Sequence, residues 1–253
     1  MQLDYPSVFR EKKVCIIVPT YNNDGTLQQV VNSLLVFTDQ IIIVNDGSTD
    51  STAAILASYP QLQQVSYSKN IGKGWALRQG FPKALALGYE HAITIDSDGQ
   101  HFAEDLPQFL EKMAFAPDAI IIGARNMDQA SIPGKSSFGH KFSNFWFWVE
   151  TGLKLPDTQS GYRLYPIHAM RNIRFFTKKF EFEIEVLVRS FWKGIPITHV
   201  PVKVFYAEKG VRVTHFRPFK DFTRITILNT VLVIWALLYI HPRDFFRSLK
   251  KKS

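Results

Sequence analysis

Short apolar runs rich in β-branched residues recur along the first half of the chain, at positions 14–18, 40–44, 63–67, 92–95 and 119–122. Segments with helical spacing of apolar positions separate most of them, at 26–37, 51–58, 73–87 and 103–114, with Pro82 placed to kink the third. Strand-length runs alternating with helix-length runs predict βαβ units, and therefore a mainly parallel central sheet flanked by helices. Beyond Gly123 the alternation fades into an aromatic-rich half, in which the spacing predicts helices over 138–153 and 182–192. The first half reads as a nucleotide-binding frame and the second as an acceptor-side elaboration.

In such a sheet, ligands bind where the strands end at their carboxyl side. The fourth apolar run ends there in DSDGQH, which places Asp96 and Asp98 at that edge. The second run ends in NDGSTD and brings Asp46 to the same edge, and the fifth ends in GAR and brings Arg125. Two carboxylates one residue apart suit a hard divalent cation such as Mg²⁺ or Mn²⁺, which can bridge them to a diphosphate. Taken singly, D-x-D is common, and NDGSTD reads equally well as a turn and helix cap. Their convergence with an arginine favours a site. The first strand is followed by PTYNNDGT rather than G-x-G-x-x-G, which disfavours a dinucleotide-binding dehydrogenase, and GKGWALRQG lacks the residue order of a P-loop.

Composition and charge sharpen this picture at two points. The single cysteine, Cys15, lies inside an apolar run, so no internal disulfide forms and a buried thiol in a reducing compartment is expected. No secretory signal precedes the first strand, and the expected location is the cytoplasm, peripheral on the inner face of the cytoplasmic membrane. The net charge of +8 is concentrated at one end: from Lys203 onward there are eleven Lys/Arg and three Asp/Glu, against nineteen of each in residues 1–202. That excess brackets an apolar stretch, 225–240, which is shorter than the roughly 20 residues of a spanning helix. An anchor lying on an anionic membrane surface and a helix docked on the core both fit it. A nucleic-acid partner is not expected, because the basic segment lacks interleaved aromatics for base stacking.

The motifs VPTYNN, VNDGSTD, KNIGKGWALRQG, DSDGQH, GARN, DTQSGYR and FEFEIEVLVRSFWKG, in this order from Val18 to Gly194, resemble the family 2 glycosyltransferases of GT-A fold. The likeness is strongest to the dolichyl-phosphate mannosyltransferase-like and bacterial polyprenyl-phosphate enzymes. The resemblance implies a nucleotide-diphospho-sugar transferase fold over residues 1–221, followed by a C-terminal apolar helix and basic tail over 222–253. It implies an inverting, metal-dependent transfer of a sugar from a UDP- or GDP-sugar to a membrane lipid acceptor, polyprenyl phosphate being the leading choice. By the same resemblance Pro19, Tyr21 and Asp46 hold base and ribose, Lys73 sits near the nucleotide, and Arg125 neutralises phosphate charge. Asp96 and Asp98, with Gln100 as third ligand, hold the metal. Asn45 stands where many relatives carry aspartate, and an amide can still hydrogen-bond a ribose or base edge.

On the acceptor side the resemblance sets Asp157 and Arg163, which flank a glycine turn, beside the reacting centre. Asp157 is the leading general base if the acceptor is a hydroxyl; a lipid phosphate needs none. Of the three glutamates in KFEFEIEV, Glu185 matches the family pattern, and the others read as solvated or as partners of a helix dipole. Lys141, Arg212, His215 and Arg217 complete the acceptor-side candidates. Here VRVTHFRPFKDF departs from the Ser-Lys pattern of the dolichyl-phosphate type, which leaves the acceptor open. A catalytically silent membrane-associated scaffold is the rival from another class.

Overall fold

In the computed structural model, which describes residues 4–125, 134–205 and 217–243, the chain forms a seven-stranded sheet between two helical layers. The helices and strands follow one another as α1 (Tyr5–Glu11), β1 (Val14–Thr20), α2 (Asp24–Leu35), β2 (Ile41–Asp46), α3 (Thr52–Ala57) and β3 (Gln63–Tyr67). Next come α4 (Lys73–Ala86), β4 (His91–Thr94), a 3₁₀ turn (Ala103–Asp105), α5 (Leu106–Phe115) and β5 (Ile120–Arg125). The second half holds α6 (Gly134–Thr151), β6 (Arg163–Tyr165), α7 (Ile167–Met170), α8 (Phe182–Trp192), β7 (Ile197–Val202) and α9 (Pro218–Trp235). A π turn (Ala236–Ile240) prolongs α9, and the helix continues to Arg243.

The strand order is β3-β2-β1-β4-β6-β5-β7, parallel throughout except for β6, which runs antiparallel between β4 and β5. The mainly parallel sheet read from the sequence is therefore present, with boundaries shifted by a few residues. Every residue of β1 and β2 is buried, which is why both read as unbroken apolar runs rather than alternating ones. Alternation reappears in three dimensions: Val14, Ile16 and Val18 face one helical layer with Leu27, Leu34 and Phe109, while Cys15 and Ile17 face the other with Leu77 and Phe182. Cys15 is buried as expected, and burial pushes its thiol pKa up.

Four elements escaped the pattern: α1, β6, α7 and β7. The helix 73–86 runs through Pro82. In α8, Glu183, read from the sequence as solvated or as a partner of the helix dipole, is instead buried, and so is Glu185.

The C-terminal helix starts at Pro218, and Phe219–Arg243 is 25 residues long, with the length and composition of a helix able to cross a membrane. Asp221, Ile225, Asn229, Leu232, Ala236 and Ile240 form a stripe buried against the protein, and Phe222 stacks on Phe142 of α6 at 4.9 Å. The opposite face exposes Ile227, Val231, Ile234, Trp235, Leu237 and Leu238. The helix thus docks on the core along one side while a second apolar side stays uncovered. Only 28% of its apolar window is buried, less than a core helix would show.

Candidate active site

β1 leads to β2 on one side and pairs with β4 on the other, so the sheet order reverses direction beside β1. The loops after β1, β2, β4 and β5 open there onto a cleft of about 440 Å³. Pro19, Tyr21, Asp46, Lys73, Asp96, Asp98, Gln100 and Arg125 all line it, so eight residues chosen from motifs spread over more than one hundred positions meet in one place. Arg217 borders it as well.

Each of these side chains has a local reason for its position. Asp46 ends β2 and is buried; its carboxylate accepts from the backbone N–H groups of Ile71 (2.9 Å) and Gly72 (2.8 Å) and from Asn70 Nδ2 (2.9 Å). Those bonds fix the loop that delivers Lys73 to the first position of α4. Gly72 has φ +131°, a left-handed value that favours glycine, and a Cβ there would strike the backbone carbonyl of Lys178 at 2.7 Å. The carboxylate expected to hold ribose is, in this arrangement, engaged in shaping the cleft wall.

Lys73 is the centre of a charge chain. Its Nζ lies 2.7 Å from Asp96 Oδ1 and 2.8 Å from Glu183 Oε1, and Glu183 Oε2 lies 2.9 Å from Arg163. Burial works against the ammonium, but Asp96 and Glu183 outweigh it and hold the Lys73 pKa above its ordinary value. Burial likewise works against the Asp96 carboxylate, and Lys73 overcomes it, keeping that pKa low. Gly161 closes over this pair: a Cβ at that position would meet both Lys73 Nζ and Asp96 Oδ2. Only the smallest residue lets the SGYR turn approach so closely.

Asp157 and Arg163 are placed differently from their expected catalytic roles. Neither lines the cleft, and both are fully buried. Arg163 donates to the carbonyls of Ser160 (2.6 Å), Thr158 (2.9 Å) and Glu183 (2.9 Å) and to Tyr165 Oη (3.2 Å), so its fork is consumed in holding the loop before β6. Asp157 accepts from Arg125 Nε (2.6 Å) and Nη2 (3.0 Å), and from the backbone of Gln159 (3.0 Å) and Ser160 (3.2 Å). Burial would raise its pKa, yet the paired guanidinium and these donors lower it, which leaves a poor proton acceptor. Its carboxylate orients Arg125 at the cleft wall.

Among the acceptor-side candidates, Glu185 points away from the cleft and clamps the backbone N–H groups of Phe176 (2.9 Å) and Thr177 (2.8 Å). Lys141 is exposed on α6 and does not line the cleft. Arg212 and His215 lie outside the described residues. Arg217 does reach the site, where its backbone N–H donates to Asp221 (2.7 Å), and Arg224 Nη1 donates to the same carboxylate (3.2 Å). The first turns of α9 thus form part of the cleft wall.

Among the charged and titratable lining residues, Glu183, His101, Asp221 and Arg224 were not read as site residues in the sequence. His101 stacks on Tyr162 at 5.1 Å, and burial pushes its pKa down to about 4, so it is neutral near pH 7. Its position next to Gln100 was the available signal; Glu183 offered none, because its partners lie far away in the chain.

Asp96, Asp98 and Gln100 present oxygen donors to one cleft, the chemistry a hard divalent cation takes. Asp98 Oδ1 also accepts from the backbone of Gln100 (3.1 Å), which folds the loop so that these three residues share the wall. No cluster of three His, Cys, Asp or Glu stands ready for a metal among the described residues, and Asp96 is held by Lys73. The donor set fits Mg²⁺ or Mn²⁺ provided that Asp96 releases the ammonium.

A family model described as glycosyl transferase family 2 matches residues 15–174. The UDP-N-acetylglucosamine–dolichyl-phosphate N-acetylglucosaminyltransferase of Methanococcus voltae is 27% identical over 243 residues, covering 87% of this chain and 97% of the relative. The polyprenol monophosphomannose synthase of Mycolicibacterium smegmatis is 27% identical over 221 residues, covering 82% and 83%. In fold, the chain is similar to glucosyl-3-phosphoglycerate synthase of Mycobacterium tuberculosis in complex with Mn²⁺, UDP and phosphoglyceric acid: the TM-score is 0.66 at 18% identity, covering 93% of this chain and 81% of that one. With the family match extending over more than half of its length, the chain belongs to glycosyl transferase family 2 and is a glycosyltransferase of GT-A fold.

Proposed function

We propose that this glycosyltransferase moves a sugar, with inversion, from a nucleoside-diphosphate donor to a polyprenyl phosphate at a membrane surface. The observation that carries this reading is that three carboxylates at or beside the cleft, Asp96, Glu183 and Asp157, are committed to cations. Asp157 is bound to Arg125, and Asp96 and Glu183 share Lys73. A hydroxyl acceptor needs a base to take its proton, whereas a phosphate monoester is already anionic and needs none. The relatives named for dolichyl phosphate and polyprenol point the same way.

In the proposed step a phosphate oxygen of the acceptor attacks the anomeric carbon, the bond to the donor's diphosphate oxygen breaks, and the nucleoside diphosphate leaves with the electron pair. Lys73 and Arg125 border the cleft where that charge develops, and preplaced cations in a partly dehydrated site stabilise such a leaving group strongly. A divalent cation held by Asp96, Asp98 and Gln100 would add Lewis-acid neutralisation of the diphosphate. Arg217 and Arg224, at the start of the apolar helix, line the same cleft and would offer cations to a lipid phosphate. Segment 222–253 then serves as an anchor on the anionic inner face of the cytoplasmic membrane, while residues 1–221 carry most of the transferase and Arg224 completes the cleft wall.

The test is transfer from radiolabelled UDP- and GDP-sugars into polyprenyl phosphate, scored as lipid-extractable product, with and without EDTA. Product that is labile to mild acid and lost with EDTA or Asp98→Ala supports the reading. Transfer only to a hydroxyl acceptor would replace the acceptor assignment. Absence of nucleotide binding by calorimetry would favour the silent scaffold.

A further inference from the structure

A second hollow, separate from the cleft, lies between the C-terminal half of α4 and the segment running from α7 to Phe176, with a volume of about 380 Å³. That size is within the range of small-molecule sites, roughly 300–1,000 Å³. Its floor is apolar: Phe81 and Leu85 from α4 face Ile167, Ile173 and Phe175. Its rim carries Arg78, Arg171 and Arg174, and no carboxylate lines it.

The three arginines are not equivalent. Arg78 is pinned by donating to the carbonyls of Phe176 and Thr177 (3.2 Å each) and lies 5.1 Å from the Trp75 ring. Arg171 and Arg174 are exposed, and neither forms an ion pair with a described residue. The rim is also held in place from below. Glu185, itself 1% exposed, binds the Phe176 and Thr177 amides, and the Arg189 guanidinium lies 4.7 Å from the Phe176 ring, which stays 64% exposed. A buried carboxylate thus fixes a segment that displays an aromatic ring and cationic groups outward.

We propose that this hollow binds an anionic phospholipid, with part of an acyl chain on the apolar floor and the phosphate between Arg171 and Arg174. Guanidinium forks match phosphate oxygens in geometry and charge, and an apolar floor without a carboxylate suits a chain better than an acidic peptide. The hollow lies on the same side of the sheet as α6 and α9, since Phe81, Ile167 and Met170 share one core layer with Phe147, Ile225 and Leu232. The segment beyond its rim leads directly to the catalytic cleft: the Lys178 carbonyl accepts from Trp75 N–H (2.8 Å), and Lys179 and Phe180 line the cleft. A lipid bound here would hold that segment at the membrane surface, independently of which acceptor the enzyme uses.

The test uses the full-length protein and a monomeric short-chain phosphatidylglycerol below its micellar concentration, so that bilayer docking by the C-terminal helix plays no part. Thermal unfolding is followed with this lipid, with the matching phosphatidylcholine, with inorganic phosphate and with a Glu-rich peptide. Saturable stabilisation by several degrees with phosphatidylglycerol alone is expected, and Arg171→Ala/Arg174→Ala should lose it while its lipid-free unfolding temperature stays unchanged. Ile173→Trp, which fills the floor, should weaken it at least tenfold; if that variant does not fold, the exposed arginine pair decides. No stabilisation, an equal response to phosphatidylcholine, inorganic phosphate or the peptide, or an undiminished response in the arginine variant overturns the proposal.

Discussion

Lys73 Nζ sits 2.7 Å from Asp96 Oδ1 and 2.8 Å from Glu183 Oε1, so one ammonium is shared between a carboxylate after β4 and a carboxylate of α8. Glu183 gives Lys73 a second station when Asp96 turns to another cation. Lys73→Met should therefore have opposite effects on two ligands. Mn²⁺ affinity without nucleotide should rise, because Asp96 is released, while nucleoside-diphosphate affinity falls by roughly ten- to a hundredfold, the worth of a charge-assisted contact of about 1.5–3 kcal/mol. Electron paramagnetic resonance titration of Mn²⁺ and calorimetry of UDP and GDP measure the two separately. A parallel loss of both affinities would mean that Lys73 merely supports the fold of the site.

Asp157 and Arg125 form a bidentate pair, and they should behave as one unit. Asp157→Asn and Arg125→Ala should each lower transfer by roughly ten- to a hundredfold. The double variant should be no worse than the poorer single variant, because each change removes the same interaction. Fully multiplicative losses would return Asp157 to an independent role as a base. The pair also carries an acid limit: because the folded-state pKa of Asp157 is lowered, its stabilisation is present above the usual carboxylate pKa of about 3.9 and is lost as the pH falls through the folded value. Asp157→Asn should blunt that acid-side loss.

Glu150 on α6 behaves in the opposite sense. It is fully buried, neither carboxylate oxygen is hydrogen-bonded to a described residue, and burial pushes its pKa up to about 8. The folded protein keeps this proton while the unfolded chain, with a carboxyl near 4.3, gives it up, so stability declines as pH rises from about 4 to 8. Glu150→Gln removes that penalty. Its unfolding temperature should exceed that of the parent by an amount that grows between pH 6 and pH 8, with little difference near pH 4. A difference constant across that range would trace the effect to packing rather than protonation.

The strands and the carboxylates that meet in the cleft were legible because their causes are local. A strand buried on both faces must be apolar along its length, and a carboxylate at its end stands out against that run, as Asp46 and Asp96 do. Short elements gave no such signal: β6 is three residues long and contains a fully buried arginine, a residue that pattern reading assigns to the surface. Helix α1 did leave a trace, since Asp4 caps it by accepting from Ser7 and proline occupies its first turn, but seven residues are too few for periodicity. Glu183 was hidden for a different reason. Its burial is made tolerable by Lys73 and Arg163, which are distant in sequence, and only the folded chain brings those charges together.

The fold also changes how the proposed C-terminal anchor must be tested. Deleting everything after Lys220 would remove Asp221 and Arg224 from the cleft and Ile225 and Leu232 from the core, so loss of membrane binding in that variant would be confounded with damage to the enzyme. The basic tail offers a cleaner lever. Each Lys near an anionic surface contributes about 1 kcal/mol, so neutralising Lys250, Lys251 and Lys252 together should weaken partitioning to phosphatidylglycerol vesicles by roughly a hundredfold. Nucleotide affinity and unfolding temperature should stay as in the parent, because these lysines follow the last cleft-lining residue, Arg224, by more than twenty positions in the sequence. The exposed face of Ile227, Val231, Ile234, Leu237 and Leu238 supplies the apolar component, and Val231→Glu/Leu238→Glu should abolish co-sedimentation even at low salt, where the lysines act most strongly. Equal vesicle binding by the parent and both variants would leave the face to a second copy of the chain, which equilibrium sedimentation would then reveal as a dimer.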